Sequence, residues 1–404
     1  MAKKILCGGR RLTAGTVPGT IMSMTPRERM RSAMALGIPD RIPVMCQMSI
    51  GHMLVQTGIP PYELWFDGDC FAGALVSLRE RYGFDGILIS LHGHSGGWER
   101  KIVDIRHEES SHIVHWADGG RTVFPEDDLP QHYPAVERRV PTIVDFNPDS
   151  LTGDLDWIPV SQGLSFTIDP ERRLDVFRQI RAAVGEAYSL HGEVTSPFDY
   201  FLDLFGFAGG FLALAEEPDR SKAVLQCLAE GVARIARDQA VSGLDAIKIS
   251  SPYAGAGFIS PGYYREFVLP FERRVAEAVR REGVFVYTHT CGAIGDRLEM
   301  MAESGVSGIE CLDPPPLGNV ELADAKGRIG RRLFIKGNVD PVHTLLFGTP
   351  ALITEDVRMR LRTGSRGGGY ILSTACSIAP RTPRENVRRL VEEAAAFDGL
   401  AKSE

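Results

Sequence analysis

The sequence has 404 residues, of which 44% are hydrophobic and 24% charged, a composition typical of a globular enzyme and not of a disordered chain. The formal net charge of −7, without any long basic run, argues against electrostatic binding to nucleic acid or to an anionic membrane. No stretch approaches the roughly 18 apolar residues of a membrane span. We therefore expect neither nucleic acid nor a membrane as a partner.

Seven cysteines are scattered along the chain. An odd number at wide spacing is not the pattern of a protein held together by disulfides. The N-terminus carries Lys3 and Lys4 but no sustained apolar run after them, so it is a poor signal peptide. These features predict a cytoplasmic protein.

The first residues differ from the rest of the chain. Residues 1 to 24 show neither helical nor strand periodicity, and we predict an irregular N-terminal arm. The organised part begins at Thr25, which can cap a helix that has Pro26 at its first position and Glu28 three residues after the cap. Residues 25 to 404 are expected to form a single domain.

Short, almost uninterrupted apolar segments alternate with longer helical ones along this domain. The predicted strands span residues 41 to 46, 84 to 91, 244 to 250, 284 to 288, 308 to 312, 333 to 336 and 369 to 374. The predicted helices between the later strands span residues 261 to 282, 294 to 304, 319 to 327, 350 to 363 and 383 to 397. This alternation predicts a parallel sheet buried on both faces, wound by right-handed crossovers into a (β/α)₈ TIM barrel or an open sheet.

Two segments interrupt the alternation. Residues 98 to 135 alternate polar and apolar positions around Asp118-Gly119-Gly120, which predicts an inserted antiparallel β-hairpin that could cover a barrel mouth. Residues 196 to 240 are strongly apolar at first and then helical. We expect this region to pack across the barrel or against a second subunit, and the second arrangement would make the protein a homodimer.

The predicted strand ends carry metal-binding side chains. In a barrel of this kind the active site lies at the C-terminal ends of the strands, where the sequence places His289, Cys291, Glu310 and Cys376. His289 and Cys291 are two residues apart and should point to the same side of their strand. Two thiolates and an imidazole favour zinc over magnesium, calcium or manganese, and Glu310 is the candidate fourth ligand.

Other chemically active residues receive plainer interpretations. Tyr253, Asn338 and Asp340 lie at strand ends and are predicted to orient a substrate. Glu193 and Asp199 flank a strand-like end and could bind substrate, although single carboxylates on loops are commonly just solvated. The remaining cysteines are interpreted as small buried hydrophobic residues, namely Cys7, Cys46, Cys70, Cys227 and Cys311.

Four segments resemble the uroporphyrinogen decarboxylase superfamily. They are residues 245 to 275, the His-Thr-Cys-Gly turn at 289 to 292, Gly-Asn-Val-Asp-Pro at 337 to 341, and residues 371 to 387. More narrowly, His-X-Cys followed, after 84 intervening residues, by a single cysteine resembles the zinc methyltransferase branch, which includes methylcobamide:coenzyme M methyltransferases. True decarboxylases carry an Arg-Gln-Ala-Gly-Arg motif near the N-terminus, whereas residues 45 to 52 here read Met-Cys-Gln-Met-Ser-Ile-Gly-His. Both arginines are absent, which argues against a polyanionic tetrapyrrole substrate.

The resemblance implies a (β/α)₈ barrel, in agreement with the alternation of strands and helices. Our hypothesis is that Zn²⁺ binds His289, Cys291 and Cys376 and that Glu310 fills the fourth position at rest. The resemblance also implies methyl transfer between a small methylated compound or a thiol acceptor and a corrinoid (cobalamin), which a partner protein supplies or which binds in free form. A methoxylated aromatic compound is one candidate donor, and demethylation is the favoured direction. Two alternatives remain: a decarboxylase acting on another small acid, and a non-catalytic, zinc-stabilised binding protein.

Overall fold

The computed structural model describes residues 23 to 399 except for 138, 152, 153 and 162. The predicted N-terminal arm therefore lies outside the described residues, apart from Ser23 and Met24.

The described residues form strands and helices in the predicted alternation. The strands are β1 (Gly86–Ile89), β2 (Ile102–Glu108), β3 (Ser111–Trp116), β4 (Arg121–Pro125), β5 (Gln131–Tyr133), β6 (Trp157–Ser161), β7 (Leu164–Thr167), β8 (Ser189–Thr195), β9 (Ala246–Ser250), β10 (Phe285–Thr290), β11 (Gly308–Cys311), β12 (Phe334–Val339) and β13 (Tyr370–Thr374). The helices are α1 (Pro26–Met34), α2 (Ile50–Thr57), α3 (Pro61–Phe66), α4 (Gly68–Tyr82), α5 (Asp175–Val184), α6 (Pro197–Phe205), α7 (Phe207–Glu216), α8 (Pro218–Val241), α9 (Pro261–Phe267), α10 (Leu269–Arg281), α11 (Leu298–Glu303), α12 (Leu322–Ile329), α13 (Pro350–Gly364) and α14 (Arg384–Ala396).

Seven parallel strands form the central sheet in the order β1, β8, β9, β10, β11, β12, β13. The segment predicted as the first strand closes it. Leu372 of β13 donates its N–H to the Pro43 carbonyl at 2.9 Å, and the Met45 N–H returns a bond to Leu372 at 3.1 Å. On the other side, the Asp85 N–H bonds the Val44 carbonyl at 2.8 Å. The predicted (β/α)₈ barrel is confirmed, with residues 43 to 45 in the position of its short eighth strand.

Helix α1 closes the N-terminal end of the barrel. The predicted capping box forms, because Glu28 N–H donates to Thr25 Oγ1 at 3.2 Å and Thr25 N–H donates to a Glu28 carboxylate oxygen at 2.8 Å. The helix buries Met30 and Met34 in a cluster with Tyr287, Phe334 and other residues of the barrel interior. The base of the barrel is thus filled with apolar side chains, which leaves the opposite end for polar chemistry.

Two elements differ from the sequence prediction. Strand β8, Ser-Leu-His-Gly-Glu-Val-Thr, was not among the predicted strands, because its polar residues interrupt the apolar run that marks other buried strands. The long helix predicted over residues 261 to 282 is divided at Val268 into α9 and α10.

The insertion between β1 and β8 is larger than the predicted hairpin. Strands β2 to β5 form a four-stranded antiparallel sheet, and β6 and β7 form a separate two-stranded hairpin. Asp128 and Leu129, in the β4–β5 connection, and residues 158 to 161 of β6 line a cavity at the C-terminal end of the barrel. The expectation that the insertion covers the barrel mouth is therefore met by two pieces instead of one.

The apolar region 196 to 240 forms α6, α7 and α8. Of its two expected placements, the structure shows packing across the barrel, since Asp199, Asp203 and Phe207 line the same cavity. Among the described helices, none is by itself both long and apolar enough to cross a membrane; α6 and α7 pass that test of length and composition only as a pair bent by 108°.

Candidate metal centre

Three of the predicted ligands meet at the C-terminal ends of β10 and β13. The ligand atoms of His289, Cys291 and Cys376 all lie within 4.8 Å of one another. His289 Nε2 is 3.3 Å from Cys291 Sγ and 3.9 Å from Cys376 Sγ, and the two sulfur atoms are 3.7 Å apart. His289 is buried, whereas the two cysteines are half-buried, so the cluster faces the barrel mouth.

These separations suit one tetrahedral zinc ion. Sulfur ligands at 2.3 Å and a nitrogen ligand at 2.0 Å, placed at the tetrahedral angle, would be about 3.8 Å apart for S···S and about 3.5 Å for N···S. Each observed distance differs from its ideal value by no more than about 0.4 Å. A sulfur separation of 3.7 Å also rules out a bond between Cys291 and Cys376, because a disulfide is about 2.05 Å long. The donor set therefore fits zinc with one position left for another ligand.

Glu310 does not join the three ligands. Its Oε2 accepts a hydrogen bond from His289 Nδ1 at 3.0 Å, while Nε2 of the same ring faces the two sulfur atoms. The strand register explains the contact, because His289 of β10 pairs directly with Glu310 of β11. The prediction of a fourth ligand does not match this geometry: the carboxylate orients the imidazole and selects the tautomer that presents Nε2 to a metal.

Two lysines lie beneath the cluster and compensate the carboxylates. Lys336 pairs with Glu310, and Lys248 Nζ lies 3.6 Å from Glu310 and 3.1 Å from Glu193. Although burial opposes it, these ammonium groups hold the pKa of Glu310 well below its usual range. Two ammonium groups and two carboxylates thus cancel within the barrel, so that the cluster above them rests on a neutral layer.

His289, Cys291 and Cys376 line a cavity with a volume of about 370 Å³, which lies at the small end of the range of small-molecule sites. Much of its wall is apolar, with Met48, Leu129 and Val160 among the lining residues. Tyr253 and Phe207 pack edge to face on the wall with ring centroids 4.6 Å apart. Within the part of the chain that the structure describes, no lysine or arginine lines this cavity.

Asp199 is a second polar feature of the cavity. It is buried, and its Oδ2 accepts a hydrogen bond from Ser196 at the start of α6, whereas Oδ1 has no partner among the described residues. Burial raises the pKa of Asp199 to about 8 and that of the nearby Glu272 to about 7. Asp199 is therefore a neutral acid at pH 7, and the interpretation of Glu193 and Asp199 as solvated loop carboxylates is wrong for both, since Glu193 pairs with Lys248.

The three residues predicted to orient substrate have different positions. Tyr253 lines the cavity, whereas Asn338 and Asp340 are turned away from it. The Asn338 amide donates to the Leu312 carbonyl at 2.8 Å, and its oxygen accepts from Arg360. Asp340 caps the turn that follows β12 by accepting from the N–H of Val342 and of His343, each at 2.8 Å. Asn338 and Asp340 were predicted to contact substrate, but in the structure they make hydrogen bonds within the protein and do not line the cavity.

Cys311 lies closer to the cluster than expected of an inert buried thiol. Its Sγ is 3.3 Å from Asp313 Oδ2, and the ligand atoms of Cys291, Cys311 and Asp313 also lie within 4.8 Å of one another. Burial raises the pKa of Cys311 to about 12, which keeps it a neutral thiol behind Cys291.

The sequence matches the model of a known protein family. Residues 169 to 397, more than half of the chain, match the family model Uroporphyrinogen decarboxylase (URO-D). The chain belongs to the URO-D family. Uroporphyrinogen decarboxylase of Gloeobacter violaceus is 31% identical over 244 residues, which cover 56% of this chain and 65% of that protein. The methylcobamide:CoM methyltransferase MtbA of Methanosarcina mazei is 28% identical over 208 residues, covering 52% of this chain and 58% of that protein.

The chain thus spans less than two thirds of the length of these curated relatives. A solved structure described as a methyltransferase from Methanosarcina mazei shares the fold, with a TM-score of 0.69 over 93% of this chain and 99% of that one at 20% identity. The relatives of this chain therefore include both decarboxylases and methyltransferases. Similarity alone does not distinguish these two activities.

Residues 45 to 52, where the sequence lacks the two arginines of the decarboxylase motif, contribute directly to the cavity wall. Gln47, Met48, Ser49, Ile50 and Gly51 all line it, and Ser49 caps α2 by accepting a hydrogen bond from the His52 N–H at 3.1 Å. Uncharged side chains thus form this part of the cavity wall, and they offer no cation to a substrate carboxylate.

Proposed function

We propose that this URO-D family protein is a zinc-dependent methyltransferase that moves a methyl group from a small, uncharged methyl ether to a corrinoid. The observation that carries the proposal is the triangle of His289 Nε2, Cys291 Sγ and Cys376 Sγ at the floor of a small, largely apolar cavity. The methyltransferases among the relatives support the reaction class.

A zinc ion held by His289, Cys291 and Cys376 would supply a Lewis acid with one exchangeable position, which is the arrangement of catalytic and not of structural zinc sites. Glu310 accepts a hydrogen bond from His289 Nδ1, which holds the ring in one orientation and directs its Nε2 toward the sulfur atoms. The protein thus presents three fixed donors and leaves the fourth direction to the cavity.

The cavity favours a neutral guest. A carboxylate or sulfonate entering it would lose water without gaining a cation from any described lining residue, and burying an unpaired charge is costly. Tyr253 and Phe207 offer ring faces and edges to an aromatic guest. A methoxylated aromatic compound without acidic substituents fits these walls better than an anionic substrate does.

Asp199 is suited to supply the proton that demethylation requires. When the bond between a methyl group and an ether oxygen breaks, the oxygen keeps the electron pair and must be protonated to leave as an alcohol or phenol. Asp199 holds a proton at neutral pH and has one carboxyl oxygen without a protein partner. We assign it the role of general acid, with Glu272 behind it as a second buried carboxyl.

A corrinoid is the proposed methyl acceptor, bound to a partner protein or free. This assignment is carried over from the methylcobamide:CoM methyltransferase relatives. A decarboxylase acting on another small acid is the weaker alternative, because its substrate would bring a carboxylate into a cavity without described basic residues.

Methyl transfer can be assayed directly in purified protein. Zinc-loaded wild type is mixed with 2-methoxyphenol and cobalt(I) cobalamin, and formation of methylcobalamin is followed by its absorption spectrum. The reverse assay offers methylcobalamin to a panel of thiols. We expect methyl transfer by wild type and by Cys227→Ser, whose half-buried thiol lies on α8. Cys376→Ser should lose the activity and the zinc ion bound with His289 and Cys291.

Methyl transfer by zinc-free protein at the wild-type rate would overturn the proposal. Release of CO₂ from a small carboxylic acid by chelator-treated protein would support the decarboxylase instead.

A further inference from the structure

A second group of potential metal ligands lies on the inserted sheet. His107 of β2, His112 of β3 and Glu126, which follows β4, have ligand atoms that all lie within 4.8 Å of one another. His107 Nε2 is 3.3 Å from a Glu126 carboxylate oxygen, and the two imidazole rings have centroids 4.8 Å apart at 79°. We propose that these three residues bind a first-row transition metal ion of the Zn²⁺ class, at a site separate from the proposed catalytic one.

The strand pairing holds this triad in place. His107 and His112 are direct cross-strand partners, and His112 pairs in turn with Phe124 of β4. The Glu126 N–H donates to the Ser110 carbonyl at 2.9 Å, which fixes the residue beside the β2–β3 turn. Directly opposed side chains on antiparallel strands have Cβ atoms about 5 Å apart, a spacing that lets two imidazoles reach one ion.

The triad continues an otherwise apolar face of the sheet. Val114 and Phe124 lie on this face and are buried against the barrel, while His112 packs edge to face on Tyr62 with ring centroids 5.5 Å apart. His112 is therefore ordered by packing, whereas His107 and Glu126 are exposed and accessible to an ion.

The donor chemistry selects the class of ion. Two imidazole nitrogens and one carboxylate oxygen suit zinc and its neighbours, whereas calcium and magnesium prefer all-oxygen sites. His112 and Glu126 also line a recess of about 530 Å³ between the sheet and the barrel, which has room for the water molecules that would complete the coordination of a three-ligand site.

The position of Glu126 suggests what metal binding does. The next residue, Asp127, forms an ion pair with Arg381 of the barrel, and Asp128 and Leu129 line the cavity above the proposed zinc centre. We call residues 126 to 131 the roof of the cavity. An ion bound to Glu126 would link this roof to His107 of β2 and His112 of β3. Metal occupancy of the inserted sheet is thus predicted to restrain the roof of the active-site cavity.

Zinc binding by the full-length protein tests the proposal. Metal-depleted wild type and His112→Ala are equilibrated against increasing free Zn²⁺, and bound zinc is counted by mass spectrometry. We expect two zinc ions per chain in wild type and one in His112→Ala. His115→Ala is the matched control: it removes an imidazole from the same strand but from its other face, where His115 pairs with Asp104, and it should retain two.

Glu126→Gln, which leaves the histidines in place, should weaken the second site, and thermal unfolding confirms that each variant is folded. Hydrogen exchange of wild type and of His112→Ala is then compared at a zinc concentration that saturates the site formed by His289, Cys291 and Cys376 in both proteins. Residues 126 to 131 should become more protected with zinc in wild type but not in His112→Ala. A single zinc ion in wild type, or two in all three variants, would refute the second site, and unchanged protection would refute its effect on the roof.

Discussion

Replacing Glu310 with glutamine perturbs the centre without touching a proposed metal ligand. The carboxylate accepts from His289 Nδ1 and compensates Lys336 and Lys248. In Glu310→Gln, Lys248 keeps Glu193 at 3.1 Å, but Lys336 is left with the neutral Ser373 hydroxyl at 3.3 Å. Removing one partner of a buried ion pair costs about 3–5 kcal/mol, and the isosteric amide places the expected loss of unfolding free energy near the lower limit, about 3 kcal/mol.

The same substitution should also weaken zinc binding. Loss of a carboxylate that orients a metal-binding histidine typically lowers affinity about 10- to 100-fold, equivalent to about 1.4–2.7 kcal/mol. Stability is measured by urea unfolding of the metal-free protein, and zinc affinity by competition with a chromophoric chelator. The urea measurement reports the loss of the ion pair between Glu310 and Lys336, whereas the zinc affinity reports the effect on the orientation of His289.

Two further variants make the test specific. Glu303→Gln removes an exposed carboxylate that pairs with Arg265 at 3.2 Å, and it should cost no more than about 1 kcal/mol. Adding Lys336→Met to Glu310→Gln removes the uncompensated ammonium group and should recover part of the lost stability. If Glu310→Gln is as stable as Glu303→Gln, the buried ion pair with Lys336 does not stabilise the fold as argued. If its zinc affinity is also unchanged, Glu310 does not orient His289 for metal binding.

Three other outcomes are expected. Methyl transfer from an ether should fall as the pH rises through about 8, because the pKa of Asp199 lies there and only its protonated form can act as the acid; this limb should be absent from the pH profile of Asp199→Asn, and an unchanged profile would contradict the assignment. Among methoxyaromatic compounds of similar size, a ring carboxylate should lower kcat/KM at least about tenfold, since burying an unpaired charge costs more than 1.4 kcal/mol; equal values would refute a neutral guest. Arg29→Met should cost about 3–5 kcal/mol in urea unfolding, because the buried guanidinium pairs with Asp40 and Asp85, whereas Arg106→Met at an exposed pair should cost under about 1 kcal/mol.

Local patterns in the sequence were sufficient to predict much of the fold. Most barrel strands are apolar runs between helices, and the Thr25 capping box marks the helix that closes the base. Strand β8 could not be recognised in this way, because its His191 and Glu193 point into a polar barrel interior that only the closed sheet creates. The two-residue period of a strand likewise predicted that His289 and Cys291 share a side.

The remaining parts of the site depend on contacts between distant segments. Glu310 contacts His289 because of the register between β10 and β11, which no local pattern encodes. Asp199 became a buried acid because α6 packs beneath the inserted β6, whose residues line the same cavity. Asn338 was expected inside by its strand-end position, yet it contacts Arg360 of α13, a residue 22 positions later in the chain.

X-ray absorption at the zinc edge tests the central claim most directly, because it counts the atoms bound to the ion in the folded protein. In a preparation that holds one zinc per chain, we predict two sulfur atoms at about 2.3 Å, one nitrogen at about 2.0 Å and one further light atom. Addition of a small thiol should raise the sulfur count to three. Four protein ligands that do not exchange, or a spectrum without sulfur, would contradict an open site formed by His289, Cys291 and Cys376.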